Sequence, residues 1–431
     1  MSKAFVVAGL GFGDEGKGTI CDFLTRKHKA HTVVRYNGGA QCGHNVVEGA
    51  RHHTFAQFGS GTLAGASTFL SQYTIVNPLS LLNEAKGLQA IGESNPLDRM
   101  YIDGHAIITT PYQVAANRLR EEHRGAGIHG SCGMGVGETV ADFQRSSWVI
   151  VGTVKAGHMT WRMKDLRQLK IEELEREGIT RTDSPHWEAL TNDDLLKETV
   201  ERYEYFAKNV HVVGPEYLHR VMKDGTTVFE GAQGVLLDQD YGFHPYTTWT
   251  NIRFDNALEL LKGFNGDVTR MGVTRSYSTR HGPGPFPTHG PELQLGEKHN
   301  GFNPWQRDFR TGALDYVLLD YSLRVLGGVD EVVMTHLDIE KTPMCVGYDN
   351  VDWDVFEPGD FYGARIPVRP VLPVEADQLA WQTKLSAALE RVTPITGSLF
   401  CTTQDEYFKH VFNIPVTIKS YGPDHKDKRD V

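Results

Sequence analysis

Short apolar runs of strand length recur along the chain, and segments with helical spacing of apolar residues lie between several of them. Such runs are typical of strands that are buried on both faces of a parallel sheet. The pattern therefore predicts an α/β fold with a mostly parallel central sheet flanked by helices. The runs that carry this prediction are KAFVVAG (3–9), HTVVRYN (31–37), SSWVIVGTV (146–154), VHVVG (210–214), TTVFEGAQG (226–234) and DEVVMTHLD (330–338).

Residues 158–210 have a different pattern, because charged side chains there are interspersed with apolar ones at helical spacing. The segments MKDLRQLKIEELEREG (163–178) and NDDLLKETVERYEYFAKNV (192–210) predict two amphipathic helices, and Asn192 is a candidate N-cap of the second. We expect a helical subdomain over 158–210. It would be an insertion in a single domain that spans 1–431, because no linker-like segment divides the chain.

The composition narrows the classes of protein that fit. A chain of 431 residues with 40% hydrophobic content buries a substantial core. Its formal net charge of −10 argues against nucleic-acid and membrane-surface partners, which require a positive field. We expect a soluble, cytoplasmic protein, because no apolar run is long enough to span a bilayer and MSKAFVV leads directly into a predicted strand. The five cysteines include no CxxC pair, so neither a zinc site nor a disulfide framework is predicted.

A glycine-rich segment near the amino terminus, VVAGLGFGDEGKGTICDFL (6–24), lies between a predicted strand and a helical pattern. It has the Gly-x-x-x-x-Gly-Lys spacing of a nucleotide phosphate loop, ending at Lys17. Gly18 stands where such a loop has the hydroxyl that binds Mg²⁺. Because Mg²⁺ is commonly held by one or two carboxylates together with substrate phosphate oxygens, Asp14 is the nearest candidate ligand.

Three further segments are rich in glycine. RYNGGAQCGHNVV (35–47) places His44 among small and amide residues, where an imidazole could reach a ligand, although a lone histidine more often has a structural role. FEGAQGVLLD (229–238) places Gln233 at the end of a predicted strand, where α/β proteins bind ligands, although a buried amide often only closes a turn. STRHGPGPFPT (278–288) is predicted to be an ordered loop.

Taken together, these motifs resemble the adenylosuccinate synthetase family. The resemblance implies a P-loop-NTPase-like fold and a ligase that uses GTP and Mg²⁺ to join the amino group of L-aspartate to carbon 6 of IMP. The motifs occur in the family's order over nearly the whole chain, and they are GDEGKG (13–18), YNGGAQCGH (36–44), FEGAQGVLLD (229–238), YSTRHGPGPFPT (277–288), RTGALD (310–315), THLD (335–338) and SYGPD (420–424).

The resemblance also implies the roles of the catalytic residues. Asp14 matches the carboxylate that takes the proton from purine N1, so that oxygen 6 attacks the γ-phosphorus of GTP. His44 matches the general acid that donates toward the transferring phosphoryl group, and Lys17 places a positive charge beside the phosphate oxygens. The implied ligands of Mg²⁺ are Asp14 and the backbone carbonyl of Gly43.

Other binding roles rest on the resemblance alone. The implied nucleotide-binding residues are Gly13, Glu15, Gly16, Gly18, Asp338, Ser420, Gly422 and Pro423, with Asp338 reading the guanine edge. The implied purine-substrate residues are Gln41, Cys132, Arg145, Gln233 and Thr248, and the implied amine-donor residues are Arg307 and Arg310. Because Arg145 matches an arginine that the family contributes across a subunit interface, a homodimer is also implied.

Several residues depart from the family's pattern. Gln41 replaces an asparagine, and Cys132 replaces a hydroxyl residue that would meet the nucleotide phosphate. His336 replaces the lysine of the guanine motif. In the segment PWQRDFRTG, Trp305 and Phe309 stand among the positions that hold aspartate in the family. The catalytic residues are thus retained, whereas the residues around the substrates have changed.

These departures leave alternatives open. One is a related synthetase that acts on a different purine nucleotide, such as dGMP, or on a different amine donor; the dGMP branch usually lacks the loop aspartate, so Asp14 counts against it. The other is a nucleotide-binding regulatory relative without turnover. The presence of Asp14, His44 and Lys17 argues against that function, because a binding module needs no proton-transfer pair.

Overall fold

A computed structural model describes residues 2–145, 149–157, 159–290, 300–339, 343–359, 363–397 and 403–431. Its strands are β1 Lys3–Gly9, β2 Thr32–Arg35, β3 His44–Glu48, β4 Arg51–Phe55, β5 Ser67–Leu70, β6 Ile75–Val76, β7 Met100–Asp103, β8 Ile107–Ile108, β9 His211–Val213, β10 Thr227–Glu230, β11 Asp267–Arg275, β12 Ser278–His281, β13 Phe309–Gly312, β14 Leu314–Asp315, β15 Glu331–Thr335, β16 Met344–Asp349, β17 Glu357–Pro358, β18 Ala364–Arg365, β19 Thr393–Thr396, β20 Val416–Ser420 and β21 Lys428–Asp430. Its α-helices are α1 Lys17–His28, α2 Pro78–Ala90, α3 Pro111–Arg124, α4 Val136–Gln144, α5 Val151–Lys155, α6 Met159–Arg176, α7 Pro185–Thr191, α8 Asp193–Asn209, α9 Glu216–Val221, α10 Asp255–Leu260, α11 Tyr316–Val325, α12 Glu375–Leu389 and α13 Gln404–Val411.

The chain divides into two compact units, each with strands and helices of its own. The first unit comprises Met1–Ala4, Cys21–Glu230 and Asn256–Asp267. The second unit comprises Phe5–Ile20, Gly231–Asp255 and Val268–Val431.

In the first unit, five strands form parallel ladders in the order β10, β2, β5, β7, β9. All four residues of β2 and all four of β10 are buried, as expected for strands covered on both faces. The core combines Leu70 of β5 and Met100 of β7 with apolar residues of α2, α3 and α8. The predicted parallel sheet flanked by helices is therefore confirmed in this unit.

Helix α8 illustrates why the helical predictions succeed. Its buried face includes Leu196, Val200, Tyr203 and Phe206, spaced three or four residues apart. The side chain of Asn192 accepts hydrogen bonds from the backbone N–H groups of Asp194 at 2.9 Å and Leu195 at 3.3 Å. The predicted N-cap is therefore confirmed. Helices α6, α7 and α8 occupy most of the predicted range, whose first residue lies outside the described ones. A separate subdomain over 158–210 stays a prediction.

The strand predicted over 146–154 is wrong in its carboxyl-terminal part, because Val151 begins helix α5. Residues 146–148 lie outside the described ones, and Ile150 forms an isolated bridge. An apolar run of this length fits a buried helical turn as well as a buried strand, and Val151 and Val154 are indeed buried one turn apart. Gly152 permits the helical turn to lie close to the segment around Gly104, since a Cβ at residue 152 would lie 3.1 Å from the carbonyl oxygen of Gly104.

In the second unit, β11, β15 and β20 are parallel neighbours, and β21 is antiparallel to β20. The backbone N–H of Leu10 donates to the carbonyl oxygen of Val273 at 2.9 Å, which sets the start of the glycine-rich loop beside β11. Helix α11 packs against β16 and β18, and most of its residues are buried. The predicted α/β class thus holds in this unit as well. In the described part of the chain, no helix has both the length and the apolar character needed to cross a membrane.

Helix α11 begins at a buried carboxylate, Asp315, which generates a prediction about stability. Its Oδ1 accepts hydrogen bonds from the backbone N–H groups of Val317 and Leu318, each at 3.1 Å. Its Oδ2 accepts a hydrogen bond from the Tyr348 hydroxyl at 2.7 Å. Burial nevertheless dominates and raises the pKa of Asp315 to about 6.

We expect the contribution of Asp315 to the free energy of unfolding to fall as the pH rises from about 4 to about 6. The unfolded carboxyl has the lower pKa, so the folded state holds the extra proton in this window. The contribution is complete below the unfolded pKa and is lost as the pH rises through the folded pKa, by at most about 1.4 kcal/mol per pH unit. Urea unfolding of the wild type and of Asp315→Asn across this window measures the difference.

Asp330 is the matched control for this prediction. The hydrogen bond from Arg270 lowers the pKa of Asp330, so its contribution should be lost as the pH falls instead. That loss occurs below the unfolded pKa of about 4, so the difference between the wild type and Asp330→Asn should stay nearly constant between about pH 4 and pH 6. A wild type and an Asp315→Asn variant whose stabilities change in parallel with pH would contradict the raised pKa.

Candidate active site

The glycine-rich loop of the second unit, residues 9–17, is closed around the side chain of Glu15. Glu15 Oε1 accepts hydrogen bonds from the backbone N–H groups of Gly11 at 3.0 Å and Gly13 at 2.8 Å. Glu15 Oε2 accepts a hydrogen bond from Lys17 Nζ at 2.6 Å, and both side chains are almost fully buried. Backbone N–H groups and a lysine ammonium are the donors that a phosphate loop offers to phosphate, and here they bind an internal carboxylate.

The space for this carboxylate exists because two neighbouring residues lack a Cβ. A Cβ at Gly9 or at Gly234 would overlap the carboxylate of Glu15, and a Cβ at Gly234 would also overlap the backbone of Gly11. Gly13 has a φ of 96°, which disfavours any other residue. The motifs around residues 13 and 233 are therefore coupled by packing.

Asp14 lies at a strained position of the loop, with a φ of 62°. Its backbone carbonyl accepts a hydrogen bond from Arg275 Nε at 2.5 Å, and Arg275 Nη1 donates to the Tyr277 hydroxyl at 2.6 Å. The guanidinium thus stabilises the loop from β11. The side chain of Asp14 remains 27% exposed, so its carboxylate is available to a ligand.

The carboxylate of Asp14 has a histidine neighbour that the sequence did not predict. His281 Nε2 lies 3.6 Å from Asp14 Oδ2. The His281 ring contacts the ring of Phe309, with centroids 4.7 Å apart. Phe309, which departs from the family's pattern, therefore contacts the histidine beside Asp14, the candidate base.

Gln233 lies directly beside the glycine-rich loop. It has a φ of 53°, and its Oε1 is buried with no hydrogen-bond partner among the described residues. A buried amide oxygen without a partner favours a ligand that supplies a donor. Thr248, the other predicted purine-substrate residue of this unit, donates its backbone N–H to Leu237 O at 2.9 Å, and its hydroxyl lies 3.4 Å from that of Thr250.

Two carboxyl-terminal motifs lie against the start of α1. The backbone N–H of Leu337 donates to Ser420 O at 3.0 Å, which joins THLD to SYGPD, and the Thr19 hydroxyl donates to Pro423 O at 2.8 Å. Asp338 lies exposed in the turn after β15. The structure therefore brings together, in one part of the second unit, the predicted nucleotide-binding residues Gly13, Glu15, Gly16, Gly18, Asp338, Ser420, Gly422 and Pro423.

The two predicted amine-donor arginines have different environments. Arg307 is exposed, has a φ of 72°, and its backbone N–H donates to Asn303 O at 2.6 Å. Arg310 Nη2 donates to Gly282 O at 2.5 Å and to Gly284 O at 3.0 Å. Arg310 therefore binds the backbone of the glycine–proline loop, and burial lowers its pKa.

In the first unit, His44 is the first residue of β3 and is 7% exposed. Its Nδ1 lies 2.5 Å from Oε1 of Glu230, the last residue of β10. Both polar atoms of the Gln41 side-chain amide are buried with no partner among the described residues, which favours a ligand at this side chain. Gly43, the predicted second ligand of Mg²⁺, is exposed.

The other predicted substrate residues of the first unit are Cys132 and Arg145. Burial raises the pKa of the Cys132 thiol to about 11, so the thiol stays protonated near neutral pH. Arg145 is 62% exposed on its side chain, and its Nη1 donates to Glu173 Oε1 at 2.6 Å. Contact with substrate stays a prediction for both residues.

Sequence reasoning missed two residues that contact candidate catalytic groups, His281 and Glu230, and it did not predict the contact of Arg275 with the loop. Glu230 and His281 lie inside motifs already identified, FEGAQG and STRHGPGPFPT, yet nothing local distinguishes them. Their partners are 186 or more residues away in the chain, so no spacing rule indicates the contacts.

A strand, a glycine-rich loop and a helix that begins at a lysine define a protein that binds nucleotide phosphates. The chain belongs to the adenylosuccinate synthetase family, whose model matches residues 6–428. It is 32% identical to the adenylosuccinate synthetase of Clostridium beijerinckii over 80% of this chain and 81% of that one. It is 30% identical to the adenylosuccinate synthetase of Chlorobium limicola over 98% and 96% of the two chains.

Two solved structures share the fold. Fully ligated adenylosuccinate synthetase from Plasmodium falciparum matches with a TM-score of 0.73 at 20% identity, covering 99% of both chains. Cyanophage S-2L succinoaminodeoxyadenylate synthetase bound to dGMP and dATP matches with a TM-score of 0.57 at 15% identity, covering 100% of this chain and 95% of that one. The resemblance of the motifs to the family is thereby confirmed over the length of the chain.

The internal ion pair of the loop generates a prediction about stability. We expect Glu15→Gln to lower the free energy of unfolding by about 3 to 5 kcal/mol, because it leaves the buried Lys17 ammonium without a counter-charge while keeping the side chain's shape. Chemical unfolding measures the change. The double variant Glu15→Gln, Lys17→Met should recover part of the loss, since it removes the uncompensated charge.

Glu259→Gln is the matched control, because Glu259 pairs with Lys262 at the surface. An exposed pair contributes at most about 1 kcal/mol, so this variant should unfold almost as the wild type does. A Glu15→Gln variant as stable as Glu259→Gln would show that the buried pair does not hold the loop.

Proposed function

We propose that the chain is a GTP- and Mg²⁺-dependent ligase that phosphorylates the 6-oxo group of IMP and replaces it with the amino group of L-aspartate, giving adenylosuccinate. The observation that carries the proposal is a partly exposed carboxylate, Asp14, held within a phosphate loop by Arg275. A loop that only bound phosphate would gain nothing from this side chain, because like charges repel. A loop that must also remove a proton requires it.

The chemistry explains why a base belongs there. The 6-oxo group of a purine is a poor leaving group, so it must be phosphorylated before an amine displaces it. Asp14 takes the proton from purine N1, and the electron pair of that bond makes oxygen 6 a nucleophile toward the γ-phosphorus of GTP, from which GDP leaves. The amine then attacks carbon 6, and phosphate leaves with oxygen 6.

Positive charge and donors assist the phosphoryl transfer. Lys17 lies at the N-terminus of α1, where the ends of backbone dipoles favour anions. When nucleotide phosphates bind, they compete with the Glu15 carboxylate for Lys17 and for the loop N–H groups. His44 is assigned the role of general acid, which donates a proton toward the transferring phosphoryl group.

The residues present fit a magnesium ion. Asp14 supplies a partly exposed carboxylate, and Mg²⁺ prefers oxygen ligands from one or two carboxylates together with substrate phosphates. When bound, the ion would neutralise charge on the phosphate oxygens. The carbonyl of Gly43 stays the predicted second ligand.

The proposal extends to the substrates and the assembly. Asp338 is assigned to the N1–H and 2-amino donors of guanine, which favours GTP over ATP, and the segment Ser420–Pro423 forms a wall of that site. Gln233 and Gln41, whose buried amide atoms lack described partners, are assigned to the purine nucleotide. A homodimer and a cytoplasmic location stay predictions from the family resemblance.

Phosphate release tests the function directly. We expect release from GTP only when IMP and aspartate are both present, with adenylosuccinate identified by mass. Release from GTP alone would instead indicate a nucleotide switch.

Asp14→Asn and His44→Asn should each lower kcat by about 10² to 10⁴-fold while nucleotide binding is kept, because each removes a proton-transfer group.

Asp377→Asn, an exposed carboxylate in the first turn of α12, is the control for these variants. It should leave kcat unchanged. An Asp14→Asn or His44→Asn variant with the kcat of this control would remove the corresponding catalytic assignment.

A second candidate function is the same ligation with a different amine donor. It is favoured by Arg310, which binds Gly282 and Gly284, and by Phe309, which packs against His281. Both residues match positions that hold aspartate in the family. Here the guanidinium of Arg310 binds backbone carbonyl groups, and Phe309 has no group that binds a carboxylate.

We expect the KM for aspartate to be about 10- to 100-fold higher than that of the Clostridium beijerinckii relative assayed in parallel. Loss of one charge-assisted hydrogen bond costs about 1.5 to 3 kcal/mol, and each 1.4 kcal/mol is about tenfold in affinity. Titration of aspartate at saturating GTP and IMP measures the ratio. Equal KM values would mean that Phe309 does not face the donor, whereas turnover with another amine alone would establish the second candidate.

A further inference from the structure

A buried carboxylate lies directly behind the candidate general acid of the first unit. Glu230 is fully buried, and its Oε1 lies 2.5 Å from Nδ1 of His44. The backbone N–H of Ser60 donates to Glu230 Oε2 at 2.9 Å, and the Ser60 hydroxyl donates to Glu230 Oε1. The carboxylate therefore accepts three hydrogen bonds from two residues.

The charge of Glu230 is compensated within the same sheet. Arg35 of β2 is directly opposite Glu230 of β10 in the parallel ladder, and the residue is 1% exposed. Although burial acts to raise the pKa of Glu230, the charge of Arg35 and the hydrogen bonds from His44 and Ser60 lower it to about 2. Glu230 is thus an anion in the folded protein at any pH at which an enzyme of this kind would work, and an anion only accepts hydrogen bonds.

We propose that Glu230 is a positioning residue that fixes a proton on Nδ1 of His44 and thereby presents Nε2 to the substrate. The inference rests on the proposed function in one respect, the assignment of His44 as the acid. Because all Glu230 acceptors face donors, the pair has one arrangement: His44 donates from Nδ1. The ring is then held in one rotation, and the acid is the ring protonated on both nitrogens, which donates from Nε2 while Nδ1–H stays on Glu230.

Substitution of glutamine keeps the shape and reverses this arrangement. The Ser60 N–H still requires an acceptor, so the amide oxygen of Glu230→Gln takes the place of Oε2. The amide nitrogen takes the place of Oε1, beside the Ser60 hydroxyl, which can accept from it, and beside His44. The amide N–H then faces His44 Nδ1, which must become an acceptor, and the neutral ring carries its proton on Nε2 instead. A carboxylate that only filled space would allow the glutamine without this consequence.

Ring ¹⁵N chemical shifts of histidine-labelled protein report the position of the proton. The His44 signals are those that disappear in His44→Asn. We expect a proton on Nδ1 in the wild type and its transfer to Nε2 in Glu230→Gln. A wild type with no proton on Nδ1 overturns the proposal, and this measurement does not depend on turnover.

Steady-state kinetics supply the second measurement. We expect Glu230→Gln to lower kcat by about 10² to 10⁴-fold, because the amide N–H that faces Nδ1 opposes the doubly protonated ring that acts as the acid. The KM values for GTP, IMP and aspartate should change little, because the binding groups remain. Ser60→Ala keeps the carboxylate, so it should keep the proton on Nδ1 and lose far less activity. A Glu230→Gln variant with the kcat of the wild type overturns the proposal.

Glu84→Gln is the matched control. Glu84 is another largely buried carboxylate of the first unit, which accepts hydrogen bonds from the N–H groups of Ala56, Gln57 and Phe58 and lies 3.8 Å from His53. It should lose stability without changing kcat or the His44 signals. If the wild type lacks the ligase activity but shows the Nδ1 proton, the proposed function fails while the Glu230–His44 geometry stands. If the wild type has the ligase activity but lacks the Nδ1 proton, the proposed role of Glu230 fails while the proposed function stands.

Discussion

The ion pair between Glu15 and Lys17 is the constraint on which the glycine-rich loop depends. A loop of this kind collects backbone N–H groups and an ammonium in one place, and such donors are costly to bury without an acceptor. The carboxylate of Glu15 supplies that acceptor from within the loop. Gly9, Gly11 and Gly234 surround it, so the glycines of two motifs are explained by one side chain.

The same constraint accounts for the conformation of Asp14. Glu15 is turned inward between Gly13 and Gly16, which both have a positive φ, and Asp14 also has a positive φ. Arg275 stabilises that conformation by binding the carbonyl of Asp14. The outward carboxylate and the inward carboxylate are therefore two consequences of one loop geometry, and only the outward one is available for proton transfer.

How much the sequence predicts depends on the distance along the chain between interacting groups. Helix α8 and its cap at Asn192 were predicted because the apolar spacing and the capping side chain are local. The segment 146–154 was assigned wrongly in part, because an apolar run does not distinguish a buried strand from a buried helical turn. The contact between His44 and Glu230 joins residues 186 positions apart, and only the folded sheet brings them together. Similarly, the sequence identified Arg310 as a ligand-binding cation, whereas its hydrogen bonds to Gly282 and Gly284 depend on how a distant loop folds.

The pairing of Glu230 with Arg35 also bears on how the sheet of the first unit assembles. The two residues are opposite one another on adjacent parallel strands, so their side chains share a face. A slip of one residue between β10 and β2 would turn Glu230 to the other face and leave the guanidinium of Arg35 buried without a counter-charge. Removal of one partner from a buried pair costs about 3 to 5 kcal/mol. The charge pair thus selects the strand register, a task that runs of valine and phenylalanine perform poorly by themselves.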